Sequence, residues 1–321
     1  MGRLFGGRHW MTLIAFLLLI AAVAMPSVLL PRNAFSYIVT FDITQSMDVE
    51  DVALNGAPVS RLAFARAAMR ETLGQLPCGS KVGWSVFTGQ RTLLLLSPLE
   101  VCGNYDALLS SLDQIDGRMR WTNWSRIAEG GIYSATRVAQ DVGHGAAVVF
   151  VTDGQEAPPV LPSDALKRDI NPAQVKGWLI GVGGDQAVPI PRTDEKGHRA
   201  GFWQAEDVIQ VPPVPGSTTQ AESHEELSEL DGHYLAAVAE QIGFGYRRLA
   251  NAIALRDALL DARYAHQERV PTDLRWCPAL LALLMLVGRF VPARGWARRR
   301  AEASGTTAGH LSRRAARVGH S

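Results

Sequence analysis

Apolar positions along the chain fall into short continuous runs and into runs spaced three and four residues apart, and the two patterns predict different elements. Residues 36–41 (SYIVTF) form a continuous apolar run of strand length that ends at Asp42, the pattern of a strand covered on both faces. Residues 61–76 carry Leu62, Ala65, Met69, Leu73 and Leu76 on one helical face, with Ser60 placed to cap the N-terminus and Pro77-Cys78-Gly79 to stop the helix. Residues 81–88 and 93–96 predict two strands joined by a Gly-containing turn, a hairpin at a sheet edge. Asn104 opens a helix running to about Ile115, and 125–142 is helical again. Residues 146–152 (AAVVFVT) are the most continuous apolar strand and 175–182 (VKGWLIGV) another. Residues 231–242 predict a helix ended by Gly243, 246–249 a last strand, and 251–267 an amphipathic helix.

Strands of the doubly buried kind alternating with helices imply an α/β fold, an open, doubly wound and mostly parallel sheet. Residues 183–228 break the alternation. They are rich in Pro, Gly and charge, and a structureless connection of that length is unusual, so an extended hairpin insertion is expected, with a strand pair around 201–211.

The two ends read differently from the middle. Residues 10–30 (WMTLIAFLLLIAAVAMPSVLL) carry no charge and have about the 20 residues a membrane helix needs. Arg3 and Arg8 precede them, which keeps residues 1–9 cytoplasmic. A cleavable signal peptide is the competing reading, against which the run is long for an h-region. Residues 276–291 (WCPALLALLMLVGRFV) form a second, shorter apolar run before an Arg-rich tail at 292–321. With both runs as transmembrane helices and 251–275 as a juxtamembrane helix, residues 31–250 form one domain outside the cytoplasm. The alternative for the second run is a core helix. The whole chain balances 32 basic against 31 acidic residues, which argues against nucleic acid as a partner. Cys78 and Cys102 flank the predicted hairpin, and a disulfide between them fits an oxidising compartment.

Candidate chemistry concentrates at Asp42-Ile43-Thr44-Gln45-Ser46, directly after the first strand. Ligands of open α/β sheets bind outside the carboxyl ends of the strands. A carboxylate followed by hydroxyls at alternate positions offers the hard oxygen donors that Mg²⁺ takes, with Mn²⁺ or Ca²⁺ as substitutes. Asp153, in Val151-Thr152-Asp153-Gly154, ends the most continuous strand and would face the same crevice.

On these residues the chain resembles the von Willebrand factor A family. The resemblance implies a metal-ion-dependent adhesion site in which Asp42, Thr44 and Ser46 form the first loop and Asp153 the third. The second-loop hydroxyl is Ser125, which is followed by Ile127, Gly130 and Ile132 in the family's register, or Thr122 as runner-up. In such a site the cation keeps one position open for an acidic side chain of a protein partner, and no catalysis is implied. Leu230-Asp231-Gly232-His233-Tyr234-Leu235 leading into Ala239–Gly243 looks like the membrane-bound bacterial Bat-type proteins. Pro77–Ser80, Glu100–Cys102 and Ile115–Met119 look like the accessory proteins encoded with methanol dehydrogenase (the MxaL type). That narrower likeness implies a bacterial membrane protein whose domain faces the periplasm and assists maturation of a metalloenzyme. Two rivals stand beside this reading. A Mg²⁺-dependent phosphohydrolase with Asp42 as nucleophile wants a second carboxylate two residues on, where Thr44 stands, and a membrane scaffold would carry a degenerate site.

Overall fold

In a computed structural model of the chain, residues 7–120, 124–143, 145–157, 170, 175–194, 198–208 and 224–290 are described. They fall into two compact units, one holding the two terminal helices and one spanning Pro31–Arg269.

The larger unit is built on a six-stranded sheet of β1 (Ser36–Asp42), β2 (Lys81–Phe87), β3 (Thr92–Glu100), β4 (Ala147–Thr152), β5 (Gly177–Gly181) and β6 (Gly245–Arg248). The strands lie in the order β6-β5-β4-β1-β2-β3. All neighbours run parallel except β2 and β3, so the sheet is the mixed, mostly parallel α/β one expected, with an antiparallel edge strand. β1 and β4 are buried at every position, because their side chains feed cores on both faces in alternation. Tyr37, Val39 and Phe41 of β1 join Trp84 and Val149 on one face, with Met69 and Leu73 of helix α2 (Arg61–Leu73), Leu108 and Leu112 of α3 (Tyr105–Asp113), and Leu255 and Leu259 of α6 (Ala252–Leu259). On the other face Ile38, Val148 and Phe150 meet Ala135 and Ala139 of α4 (Tyr133–Val142) and Leu235 and Val238 of α5 (Gly232–Ile242).

The order reverses between β1 and β4. β1 is followed in the chain by β2 on one side, while β4 is followed by β5 on the other, so the loops at their carboxyl ends diverge and leave a crevice. Asp42 and Asp153 stand at those two ends.

The 183–228 insertion contains short strand pairs, Pro191–Thr193 with Arg199–Phe202 and Val188–Pro189 with Leu227–Ser228. The expected strand pair around 201–211 is therefore centred earlier, and residues 209–211 lie outside the described residues. The predicted helix over 251–267 is shorter than expected. α6 ends at Leu259, a turn follows with Asp261 capping Arg263 N (2.9 Å), and His266–Thr272 is a strand. The alternating His-Gln-Glu-Arg-Val pattern carries period two, which an amphipathic-helix reading over the same residues obscures.

The terminal apolar runs also differ from expectation. α1 covers Gly7–Ala24, and Val28–Ala34 is a strand. Pro26 has no N–H to continue the helix and disfavours helical backbone at Met25. α7 covers Trp276–Phe290. With 18 and 15 residues, the helices reach only about 27 and 22 Å at 1.5 Å per residue. No helix among the described residues is long and apolar enough to cross a membrane. The two helices pack together, with Ala15, Ala22 and Ala282 buried, and Arg275 Nε donates to the Met25 carbonyl at 2.9 Å.

Cys78 and Cys102 form a disulfide, their Cα atoms 5.3 Å apart, and Glu100 organises the loop around it. Its carboxylate accepts N–H bonds from Gly79 (2.8 Å), Cys102 (3.1 Å) and Gly103 (2.6 Å). Partial burial raises the Glu100 pKa, but these donors and Lys81 outweigh it and hold the group below its usual value. A carboxyl lowered on folding contributes stability above its unfolded pKa and loses it as pH falls through the folded value. Glu100→Gln should therefore lower stability at neutral pH by about 1 kcal/mol. The gap to the wild type should close as the pH drops below about 4, as read by urea unfolding at a series of pH values.

Candidate metal centre

Asp42 is fully buried at the end of β1. Its Oδ1 accepts from the Thr44 amide (2.8 Å) and the Thr44 hydroxyl (2.7 Å), and its Oδ2 accepts from Thr152 Oγ1 (2.7 Å). Thr44 Oγ1 lies 3.2 Å from Ser46 Oγ. All three first-loop oxygens thus sit together, held by a tight turn over Gln45–Asp48. No Lys or Arg contacts Asp42 among the described residues. Burial, and then the charge of Asp153, push its pKa up to about 7 against the lowering of its hydroxyl and amide donors. A buried carboxylate met only by neutral donors has its charged form disfavoured, and a cation brought beside it would reverse that.

Ser125 approaches from a different element. Its backbone pairs with Ala157 in both directions (3.2 and 2.9 Å), and Arg126 N donates to Gly89 O of the β2–β3 turn at 2.7 Å. A π-helical turn, Ile127–Ile132, then leads into α4. Gly130 and Gly131 let that turn sit against the sheet: a Cβ on Gly130 would lie 2.4 Å from Gln90 O, and one on Gly131 2.8 Å from the Phe150 ring. This docking carries Ser125 to a small cavity of about 40 Å³ that Thr44, Ser46, Gln155 and Glu225 also line. Among the described residues the buried Ser125 hydroxyl has no hydrogen-bond partner, an oxygen beside two others. The volume exceeds the 10–15 Å³ that one water requires, so an ion with retained water fits. Thr122, the runner-up, lies outside the described residues.

Asp153 is also fully buried but differently committed. Its Oδ2 accepts from Arg61 Nη1 (2.7 Å) and Ser228 Oγ (3.0 Å), and its Oδ1 from Gln155 N (3.1 Å). Asp153 does not line the small cavity. Arg61, fully buried, is a residue the sequence pattern passed over. Its Nε and Nη2 grip Asp51 in a fork (3.0 and 2.6 Å), and Nη1 reaches Asp153, Ser228 Oγ (2.6 Å) and Ser46 O (3.4 Å). The signal was its position: a positive charge in the first turn of α2 opposes the helix dipole, so it needs anionic partners elsewhere. The acidic turn after the Asp42–Ser46 loop is likewise engaged, Asp48 with Arg120 (2.6 Å), Glu50 with Arg199 (3.2 Å) and Asp51 with Arg61. Among the described residues one further group of ligating types converges, Cys78, Glu100 and Cys102, and its sulfurs are consumed by the disulfide. Trp124 is exposed, while Trp203 of the insertion donates to the Gln45 side chain and roofs the loop.

The fold and site define an open α/β domain with a polar, oxygen-lined centre at its topological switch point. No protein-family model matches the chain. It is 32% identical over 291 residues to a UPF0353 protein of Mycobacterium avium, covering 81% of this chain and 79% of that one. It is 31% identical over 288 residues to a UPF0353 protein of Mycolicibacterium paratuberculosis, again covering 81% and 79%. The chain belongs to the UPF0353 protein family. Among solved structures, an aerotolerance-related membrane protein from Bacteroides fragilis is 19% identical with a TM-score of 0.49, covering 70% of this chain and 96% of that one. The conserved hypothetical protein BatB from Bacteroides thetaiotaomicron is 20% identical with a TM-score of 0.47, covering 70% and 95%.

Removing one member of a buried ion-pair network leaves its partner charged and unpaired, at a cost of about 3–5 kcal/mol. Arg61→Ala should show that loss in chemical denaturation. The double variant Arg61→Ala/Asp153→Asn should recover part of it, because the orphaned carboxylate is gone.

Proposed function

We propose that this chain is a von Willebrand factor A-type binding module that holds a divalent cation, Mg²⁺ in the first instance, and through it a protein partner. Asp42, Thr44, Ser46 and Ser125 would supply oxygens to the cation, and Asp153 would act across the crevice from its bridge with Arg61. The carrying observation is the pairing of two unmet needs: a buried Asp42 carboxylate without a counter-charge, and a buried Ser125 hydroxyl without a partner at the adjoining cavity. A divalent ion answers both, since it is a charge and takes oxygen donors. Its open position would accept an acidic side chain of the partner, so metal and partner bind together.

Membrane attachment belongs to the same proposal. It is supported by the apolar side chains exposed along α1 and α7, Trp10, Phe16, Val23, Trp276 and Leu284 among them. Exposed apolar surface on that scale marks a lipid or protein contact. The disulfide supports an oxidising, periplasm-facing compartment. The narrowest part of the proposal, help in maturing a periplasmic metalloenzyme such as methanol dehydrogenase, is supported by the likeness of the disulfide-bearing segments alone. Hydrolytic chemistry is disfavoured because Asp42 is fixed by three donors and Thr44 occupies the place of the second carboxylate that phosphohydrolysis would use.

A ligand that binds only the folded state stabilises it by about 2.7 kcal/mol at a hundredfold excess over its dissociation constant. Adding Mg²⁺ or Mn²⁺ to the purified full-length chain should therefore raise its melting temperature, and the rise should be lost in Asp42→Ala and reduced in Ser125→Ala. An equal response in wild type and Asp42→Ala, or none in either, would replace this reading with that of a scaffold whose site is degenerate.

A further inference from the structure

Beside the small cavity lies a larger one of about 510 Å³, open to solvent and reached by Glu156, Glu225, Glu229, Asp231, Gln155 and Tyr234. Its described lining holds four carboxylates, the imidazole of His224, which pairs with Glu226 (3.2 Å), and no Lys or Arg. Glu225 sets it apart from an ordinary acidic surface. The residue is only 6% exposed, yet among the described residues its carboxylate accepts no hydrogen bond and pairs with no basic side chain. Burial first, and then neighbouring Glu226, push its pKa up to about 7, with His224 opposing. Gln155 makes a second unmet acceptor. Its Nε2 donates to the backbone carbonyls of Glu225 (3.3 Å) and Leu227 (2.9 Å), which fixes the amide, and among the described residues its buried Oε1 has no partner. Glu156, by contrast, is satisfied by Ala128 N (2.9 Å) and the Tyr234 hydroxyl (2.7 Å), so it shapes the wall.

Glu225 and Gln155 line both cavities. We infer that the larger pocket receives a basic side chain from a protein partner, its cationic head against Glu225 and Gln155. The size argues for a side chain over a bare ion. A volume of about 510 Å³ lies in the range of organic-ligand pockets, and an ion alone would leave most of it to water. A buried carboxylate and a fixed amide oxygen are acceptors only, which an ammonium or guanidinium complements with several N–H donors. That this basic group and the acidic group on the cation come from one partner rests on the reading above. The pocket's capacity for a cationic side chain does not.

The test keeps the two apart by excluding metal. The purified full-length chain in chelator is titrated with N-acetyl-argininamide and N-acetyl-lysinamide, with N-acetyl-glutaminamide as the uncharged control, by calorimetry and by melting temperature. Saturable binding of the basic probes, absent for the control, is expected. It should weaken about tenfold or more in Glu225→Gln, while the distant Glu268→Gln leaves it essentially intact. Glu225→Gln should fold at least as stably as the wild type, because it removes an unpaired buried charge. Absence of saturation in the wild type, or undiminished binding in Glu225→Gln, overturns the proposal. So does stabilisation by Ca²⁺ that depends on Glu225 in place of the basic probes, which would make the pocket a metal site. A failure of Mg²⁺ to act through Asp42, with the basic probes still binding, would sink the cation reading and leave this one standing.

Discussion

The buried guanidinium of Arg61 is the interaction around which the site is organised. It rises from the first turn of α2, holds Asp51 in a two-point fork, and reaches across the crevice to Asp153 and Ser228. Four separate pieces of chain are fixed by one planar cation: the acidic turn, the helix start, the β4 loop and the insertion. Arg suits this because it stays charged and presents several donors in rigid geometry. A buried pair of this kind is weak as a source of net stability and strong as a specifier of arrangement once formed, because any displacement strands a charge.

Its consequence lies in what it leaves out. Asp153 shares the charge of Arg61 with Asp51, and Asp42, on the neighbouring strand end, meets only neutral donors. The sheet's reversal between β1 and β4 forces the two carboxylates into mutual range. Hydroxyls from Thr44 and Thr152 partly relieve Asp42, but neutral donors cannot cancel a buried charge. The electrostatics of the centre are therefore asymmetric: one acid is held by a buried cation, the other by neutral donors alone. That asymmetry is the physical basis of the proposed cation site.

Much of this was legible in the sequence because it is local. Continuous apolar runs at 36–41 and 146–152 are what doubly buried strands require, and the carboxylates that follow them had to land at strand ends. The spacing of Ile127, Gly130 and Ile132 from Ser125 likewise reflects a local demand, since glycine is needed where the turn lies against Gln90 O and Phe150. What was not legible is non-local. Arg61 looks like an ordinary first helical residue until Asp51, Asp153 and Ser228 are brought together from distant positions. Glu225 and Gln155 depend on where the insertion folds, and nothing in its Pro- and Gly-rich sequence encodes that address. The terminal runs show a different limit: counting apolar residues from 10 to 30 overlooks Pro26, whose missing N–H divides the run into a helix and a strand.

The same unequal sharing of charge extends beyond Asp42. Proteins rarely bury carboxylates without partners, and the perturbed groups that result cluster at functional sites. Around the switch point four acids are buried, and one of them, Glu156, is held by the Ala128 amide and the Tyr234 hydroxyl. Asp153 is matched by Arg61, while Asp42 and Glu225 are each raised to about 7 by burial first and a neighbouring acid second. On the proposed readings, Asp42 behind the Thr44 and Ser46 hydroxyls of the cavity of about 40 Å³ would take a compact ion, and Glu225 in that of about 510 Å³ a side chain. A partner carrying an acidic residue near a basic one would satisfy both at once, the acid through the ion and the base directly. Recognition would then demand both signs in the right order. That supplies specificity which a metal site alone, open to any exposed carboxylate, would lack.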